Sequence, residues 1–412
     1  MPGRLITLSV WFFLLSTSAG AAADGMTMAG DFGNYPMGRD GSGTSWVPDA
    51  TPMDGLHSIS GDWMLMLHGS LALADTQQSG PRGASATYSQ SMLMGAARRD
   101  LGDSTLTLRA MVSADPVNGA AGYPLLFQTG ETANGRDPLV DRQHPHNLFM
   151  EIAAAYSRTL SDVASLFVYA APVGEPALGP PAFPHRRTDD PNPEAPLSHH
   201  HIDSTHISFG VLTTGLISGH WKLEGSAFNG REPDQHRSAL ELRRLDSWST
   251  RLSFNPGSDL ALQVSTGRLA SPEGLHPSVS VVRTTASVLH EHRLGAVVAS
   301  TTLAFGRNKP SEGRPTDAWL LSEALRIGPR QTLYARFERV GYDELPSIND
   351  LTQSPIIRKG SLGYQVDFAQ WGPLHFEGGA VASRYWIPPA ISAVYGLSPD
   401  SWTLYLRARI AP

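Results

Sequence analysis

Methionine and histidine side chains are placed where they could bind a metal ion. All eleven methionines lie within the first 150 of the 412 residues. Alternate residues share one face of a β-strand, and six thioether or imidazole side chains fall on one face of three neighbouring segments. They are Met64, Met66, His68, Met92, Met94 and Met111. Such ligands suit Cu(I), so the pattern predicts a copper site; the alternative is that these methionines fill irregular space in a core.

Two histidine clusters form a second candidate metal site. One lies in DRQHPH and the other in HHHIDSTH, with the carboxylates Glu151 and Asp203 nearby. Histidine-rich tracts can bind Zn or Cu through imidazole nitrogens. The alternative is a hydrogen-bonded cluster that packs the loops at the mouth of the fold. The candidate ligands are His144, His146, His199, His200, His201 and His206.

Alternation of apolar and polar residues with period 2 runs through the chain from about residue 61. In the last segment, Trp402, Leu404 and Leu406 alternate with Thr403 and Tyr405, which is typical of a half-exposed strand. We count sixteen such segments, of which those near 294–306 and 316–327 alternate least clearly. The predicted fold class is all-β, an antiparallel transmembrane β-barrel of about 16 strands.

The connections between these segments alternate in length. Those after odd-numbered segments are long, up to roughly 30 residues at 115–147 and 173–203, whereas those after even-numbered segments are short. Short periplasmic turns, long extracellular loops and an even strand count are the layout of bacterial outer-membrane barrels. A soluble sandwich would not show this strict alternation, and a propeller would repeat every 40–50 residues or so.

Composition excludes several classes of protein. The net charge is −6 without a basic block, so nucleic acid is not an expected partner. Cysteine is absent, which excludes disulfides and thiolate chemistry.

Two pairs of residues have the side chains of a hydrolase site, namely His206 with Ser208 and His375 with Glu377. Because the sequence contains no nucleophile elbow or phosphate loop, we expect no enzymatic activity.

The N-terminus has the layout of an export signal. Arg4 precedes an apolar run at 5–15, and small residues follow up to Ala23, as in a cleavable signal peptide. The predicted organisation is a signal peptide at 1–23, a methionine-rich segment at 24–60 that lies in the periplasm or plugs the lumen, and the barrel at 61–412.

The polar strand faces predict the lining of the lumen, because the apolar faces of a membrane barrel meet lipid. Tryptophans at strand ends predict an interfacial girdle. Both signs of charge occur among the inward residues, so we expect no strong ion selectivity. The predicted pore-lining residues are Arg109, Glu151, Lys222, Glu224, Arg251, Arg283, Arg336, Glu338, Asp367, Glu377, Arg407 and Arg409.

Several stretches resemble a family of porin-like bacterial outer-membrane β-barrels that is loosely associated with copper and heavy-metal resistance. They are YPMGRDGSGTSWVPDATPM at 35–53, DRQHPHNLFME at 141–151, GEPALGPPAFPHR at 174–186, LSHHHIDSTHISFGV at 197–211, SAFNGREPD at 226–234 and LDSWSTRLSFNP at 245–256. The resemblance covers most of residues 30–260. The chain departs from the usual porin pattern at its end, Arg409-Ile410-Ala411-Pro412, where many such barrels finish on Phe or Trp.

These patterns predict a channel for small solutes in the outer membrane of a Gram-negative bacterium, linked to the passage or binding of copper, as Cu(I) or Cu(II), or of heavy metals. The alternative is a non-conducting barrel whose long His-rich extracellular loops bind a metal or an envelope partner. The expected partners are outer-membrane lipid, metal ions and, by analogy with other sixteen-stranded porins, further copies of the chain in a homotrimer.

Overall fold

The centre of the molecule is a closed barrel of sixteen antiparallel strands. The computed structural model describes residues 29–346 and 353–412, so the predicted signal peptide lies outside the described residues. We number the barrel strands β1 to β16, which are Trp63–Gln78, Ser85–Asp100, Ser104–Val112, Phe149–Ser161, Ala164–Gly174, Ser208–Ser218, Trp221–Phe228, Ser247–Phe254, Leu260–Ala270, Ser280–Leu294, Val297–Pro310, Thr316–Ile327, Gln331–Gly341, Ile356–Trp371, Leu374–Trp386 and Asp400–Ile410.

The predicted antiparallel β-barrel of about 16 strands is confirmed, and the residue alternation explains the barrel wall. Leu404 and Leu406 face outward and are 52% and 61% exposed, whereas Thr403 and Tyr405 point into the lumen and are buried. The longest connections, at 113–148 and 175–207, both follow odd-numbered strands. The two weakly alternating segments are also strands, β11 and β12.

Strand β1 has two neighbours along one edge. Its residues 69–78 pair with β16, and this pairing closes the barrel. Its residues 63–67 pair instead with an extra strand, Leu56–Ser60, after a tight turn in which Gly61 has a φ of 58°. The wall therefore begins within the segment predicted at 24–60, and it places His57 opposite Met66.

Residues 29–55 fold into the lumen at the short-turn end of the barrel. They form the strands Ala29–Gly30 and Gly33–Pro36 and the 3-10 helix Met37–Arg39. The Ala50 N–H donates to the Ser258 carbonyl in a short turn, at 2.7 Å. At the same end of the barrel, the Asn255 amide donates to the Val47 carbonyl at 2.8 Å, and the Ser165 hydroxyl donates to the Phe32 carbonyl at 2.6 Å.

The connection 175–207 crosses the lumen and contacts strands on opposite walls. The Tyr405 hydroxyl of β16 donates to the Pro191 carbonyl at 2.6 Å, and Ser226 of β7 accepts from the Ala177 N–H at 2.8 Å. The connection contains the short helices Phe183–His185, His199–Ile202 and Ser204–His206. Together with residues 29–55, it fills much of the space that sixteen strands enclose. We call these two segments the plug.

The first long connection, 113–148, forms a hairpin that the sequence pattern did not predict. Its strands are Tyr123–Thr132, which is buried throughout, and Pro138–Gln143. Tyr123 stacks on Tyr88 of β2 with ring centroids 3.9 Å apart, so the hairpin packs against the barrel wall. The remaining short helices are Asp115–Asn118, Pro389–Ile391 and Ser392–Tyr395. Within 29–346 and 353–412, no helix is long and apolar enough to span a membrane.

Candidate functional site

The methionines predicted to bind copper lie in one patch on the lumen side of β1, β2 and β3. His68 lies opposite Met94, and Met94 lies opposite Met111 on the next strand. Directly opposed residues of antiparallel strands have Cβ atoms about 4.5–5.5 Å apart. One imidazole and two thioethers therefore form a row across three strands. We call the whole patch the methionine wall; its members are Met64, Met66, His68, Met92, Met94 and Met111.

A cavity of about 210 Å³, here called the inner cavity, lies against the methionine wall. Met37 and Met53 of the plug, His57 of the extra strand and His185 of the connection 175–207 also line it. His68 Nδ1 and His185 Nε2 are buried and have no hydrogen-bond partner among the described residues. Four aspartates and four arginines balance the charge of the lining. The thioethers and the free imidazole nitrogens form a ligand set for a soft cation.

Five of the six predicted histidine ligands form a line of neighbouring rings, which we call the histidine run. The rings of His200, His199, His206 and His146 follow one another with centroids 5.2, 5.1 and 5.4 Å apart. His144 lies 5.5 Å from His200. The histidine run is packed inside the lumen and is not a solvated cluster at its mouth. His201 lies apart, with its Nε2 2.9 Å from the Thr316 hydroxyl.

Burial keeps most imidazoles of the histidine run neutral. Desolvation lowers the pKa of His144 and of His206 well below the ordinary value, and it also lowers the pKa of His199. Burial also acts to lower the pKa of His200, but attraction by Glu232 outweighs this effect, so the pKa of His200 is raised. A neutral imidazole carries the lone pair that binds a metal. Nε2 of His144, His146, His200 and His206 has no hydrogen-bond partner in the described part of the chain.

The histidine run ends at a second cavity of about 250 Å³ beneath the long loops, here called the outer cavity. His200 lines it together with Glu232 and Glu273, two residues that sequence reasoning missed. Two groups have ligand atoms within 4.8 Å of one another, namely His144 with His199 and His200, and His200 with Glu232 and Glu273. Burial, with repulsion from Glu232 and other carboxylates, raises the pKa of Glu273 well above its ordinary value.

Most of the predicted pore-lining side chains point inward but contact the plug. Three contact the plug residues Gly43 and Thr44 of the segment 29–55, and they are Arg109, Lys222 and Glu224. Four contact the connection 175–207, and they are Arg283, Arg336, Glu338 and Arg407. Arg251 contacts both segments. The others pair within the wall: Glu151 with Tyr169, Asp367 with His375, and Glu377 with Arg409.

The fold is similar to those of bacterial outer-membrane proteins of known structure. OmpF of Salmonella typhi, in complex with daunomycin, aligns with a TM-score of 0.54 at 8% identity, over 86% of this chain and 100% of that chain. OprB of Pseudomonas putida aligns with a TM-score of 0.51 at 9% identity, over 85% and 94% of the two chains. No protein-family model and no curated protein sequence matches the chain. At these identities the similarity establishes the fold.

Proposed function

We propose that this protein is an outer-membrane barrel that binds soft metal ions, with Cu(I) foremost, inside its lumen and passes them along a narrow path. The observation that carries the proposal is the continuity of candidate ligands. The histidine run begins at the outer cavity and approaches the methionine wall. The methionine wall then continues to the inner cavity. An ion on this path would exchange one set of imidazole and thioether ligands for the next.

Two small cavities join the histidine run to the methionine wall. Their volumes are about 80 and 40 Å³, and His146 lines the first while His206 lines the second. The members of the methionine wall that line them are His68, Met92, Met94 and Met111. Met53, which lines the inner cavity, is 42% exposed, so the last thioether of the path is open to solvent. These volumes suit a single ion that moves between ligands.

The chemistry of the ligands supports selection of soft ions. Thioethers bind Cu(I) well, whereas Mg²⁺ and Ca²⁺ prefer oxygen ligands. No cysteine is present to offer a stronger thiolate ligand. The charge balance in the lining of the inner cavity also disfavours multiply charged ions, because they would gain no net attraction there. The proposal involves no covalent chemistry, in keeping with the expectation that the protein is not an enzyme.

The apolar outer face supports a setting in membrane lipid. Leu223 of β7 and Leu362 of β14 are 56% and 60% exposed, and Trp221 and Trp248 at strand ends are 48% and 51% exposed. Water would solvate such a surface poorly, whereas lipid chains and interfacial head groups accommodate it. We propose the outer membrane as the location, by analogy with barrels of the same fold. A homotrimer stays a prediction, and native mass spectrometry from detergent would test it.

The plug argues against a wide pore for solutes. It favours a second candidate function, a barrel that binds metal without conducting it. Buried contacts join it to many barrel strands, so a sugar or peptide would need the plug to move. If the path does not conduct, the same ligands would make the protein a non-conducting barrel that binds metal. We rank this candidate second because ligands line the barrel from the outer to the inner cavity.

Ion flux into proteoliposomes tests the proposal. We expect the full chain to admit Cu(I), presented as a weak chelate, to liposomes that contain a Cu(I)-sensitive dye, and to admit no sucrose in a swelling assay. The variant Met64→Leu/Met66→Leu/Met94→Leu should lose the flux. The matched control Leu67→Met/Leu93→Met adds thioethers to the lipid face of the same strands and should keep it. Sucrose entry as fast as Cu(I) entry would refute the narrow path, and Cu(I) binding without flux would favour the non-conducting barrel.

A further inference from the structure

The outer cavity contains a ligand set of a different kind from the methionine wall. Ligand atoms of His200, Glu232 and Glu273 all lie within 4.8 Å of one another. One imidazole and two carboxylates are the ligands that Zn²⁺ takes at many protein sites, and Cu²⁺ accepts them as well. Cu(I) prefers sulfur. We propose that these three residues bind a divalent ion of the Zn²⁺ or Cu²⁺ class.

Unpaired atoms inside the cluster support a ligand there. Glu232 is 7% exposed; its Oε1 accepts from the Ser204 hydroxyl at 2.9 Å, while its Oε2 has no partner in the described ranges. His200 Nδ1 lies 3.6 Å from Glu232 Oε1, which is too long for a hydrogen bond. A buried carboxylate oxygen without a partner is costly. A bound cation would satisfy it.

The charge around the cluster points to a cation. Five carboxylates line the outer cavity, and they are Glu232, Glu273, Glu312, Asp343 and Glu344. Among the described residues, Arg283 is the one guanidinium in the same lining, and it also bonds to Ser204 and Asn308. Glu131 adds a further carboxylate nearby, but Arg237 pairs with it. Carboxyl groups therefore outnumber guanidinium groups in this lining, and ionised carboxylates attract a divalent ion more strongly than a monovalent one.

The three ligands come from three separate connections. His200 belongs to the plug at 175–207, Glu232 to the loop 229–246 and Glu273 to the loop 271–279. An ion bound by all three would join the plug to two loops at the outer end of the barrel and stabilise their closed arrangement by mass action. This inference goes beyond the proposed function, because binding here requires neither thioethers nor passage of the ion.

Calorimetric titration of the detergent-folded full chain with ZnCl₂ tests the site. We expect one Zn²⁺ to bind and to raise the midpoint of thermal unfolding, and Glu232→Gln/Glu273→Gln to weaken binding at least about tenfold. The control Asp62→Asn removes an exposed carboxylate that does not line the outer cavity and should bind Zn²⁺ as the wild type does. Equal Zn²⁺ affinity in the double variant and the wild type would overturn the proposal.

If the double variant does not fold, X-ray absorption spectroscopy of the Zn²⁺-loaded wild type tests the site instead. The proposal predicts a first shell of nitrogen and oxygen with an imidazole signature. A sulfur in that shell would place the ion at the methionine wall and overturn the assignment. The variant Met64→Leu/Met66→Leu/Met94→Leu should bind Zn²⁺ normally, so loss of Cu(I) handling and loss of the Zn²⁺ site are separate results.

Discussion

Two neighbouring parts of the lumen wall use different chemistry, β14 to β16 and β1 to β3, which meet where β16 pairs with β1. On the side of β14 and β16, buried ion pairs hold the plug: Lys359 Nζ lies 2.7 Å from Glu194 Oε2, and Arg407 Nη1 lies 3.2 Å from Asp190 Oδ1. On the side of β1 to β3, the methionine wall faces the inner cavity. Buried charged groups that have partners fix one conformation. Buried ligand atoms without a partner can instead bind an ion. We infer that the first side anchors the plug and the second side binds.

The largest expected effect is the loss of an anchor on the ion-paired side. Lys359 and Glu194 are 0% and 1% exposed, so Glu194→Gln leaves a buried ammonium without its carboxylate. Breaking such a pair costs about 3–5 kcal/mol. Urea unfolding followed by tryptophan fluorescence would measure the loss. The exposed Glu312→Gln should stay within about 0.5 kcal/mol of the wild type, and equal losses in both variants would contradict the anchoring role.

Acid should weaken the same anchor by a smaller amount. Burial raises the pKa of Glu194, but attraction and hydrogen bonding by Lys359 and a hydrogen bond from Thr403 outweigh it, so the pKa lies below the ordinary 4.5. A lowered folded pKa adds stability above the unfolded pKa, and this stability is lost as pH falls through the folded value. Below about pH 4.5 the wild type should therefore lose more unfolding free energy than Glu194→Gln does. Parallel pH profiles would contradict this.

Substitution of a glycine beside the histidine run tests whether His200 is a ligand. A matched glycine elsewhere controls for the effect of backbone strain. Gly130 has a φ of +105°, and a Cβ there would lie 2.5 Å from His200 Cε1. Gly130→Ala should cost about 1–3 kcal/mol of stability and displace His200, so Zn²⁺ affinity should fall. The matched control is Gly119→Ala, where φ is +77° but nothing lies within 4 Å. The control should lose stability and keep its Zn²⁺ affinity; equal affinity in both variants would argue against His200 as a ligand.

The smallest effect on stability is expected at the methionine wall itself. Leucine has nearly the volume of methionine, and such swaps usually cost less than about 1.5 kcal/mol each. Met94→Leu should therefore leave urea unfolding and heat-modifiable migration close to those of the wild type. A loss above about 3 kcal/mol would instead indicate that packing is the main role of this methionine.

The barrel could be predicted from the sequence because its signal is periodic. Each strand repeats the same in–out alternation, and the methionine wall follows from that alternation together with the adjacency of β1, β2 and β3. The direct row of His68, Met94 and Met111 also required the register, which the structure supplies.

Filling of the lumen by 24–60 was one of two expectations, but the crossing of the lumen by the connection 175–207 and the outer site could not be predicted, because irregular segments have no period. The hairpin strand Tyr123–Thr132 is buried throughout and does not alternate. Glu232 and Glu273 lie 41 residues apart and in different loops, so no spacing rule joins them to His200. One available signal was loop length, since connections beyond about 15 residues without regular structure are usually functional or disordered.

Titration of the detergent-folded chain with Cu(I), against a competing chelator, tests the central claim most directly. We predict that the wild type and Leu67→Met/Leu93→Met bind Cu(I) equally, and that Met64→Leu/Met66→Leu/Met94→Leu binds at least about tenfold more weakly, a loss of about 1.4 kcal/mol. Equal binding by all three proteins, or no binding by the wild type, would reduce the methionine wall to packing and contradict the account.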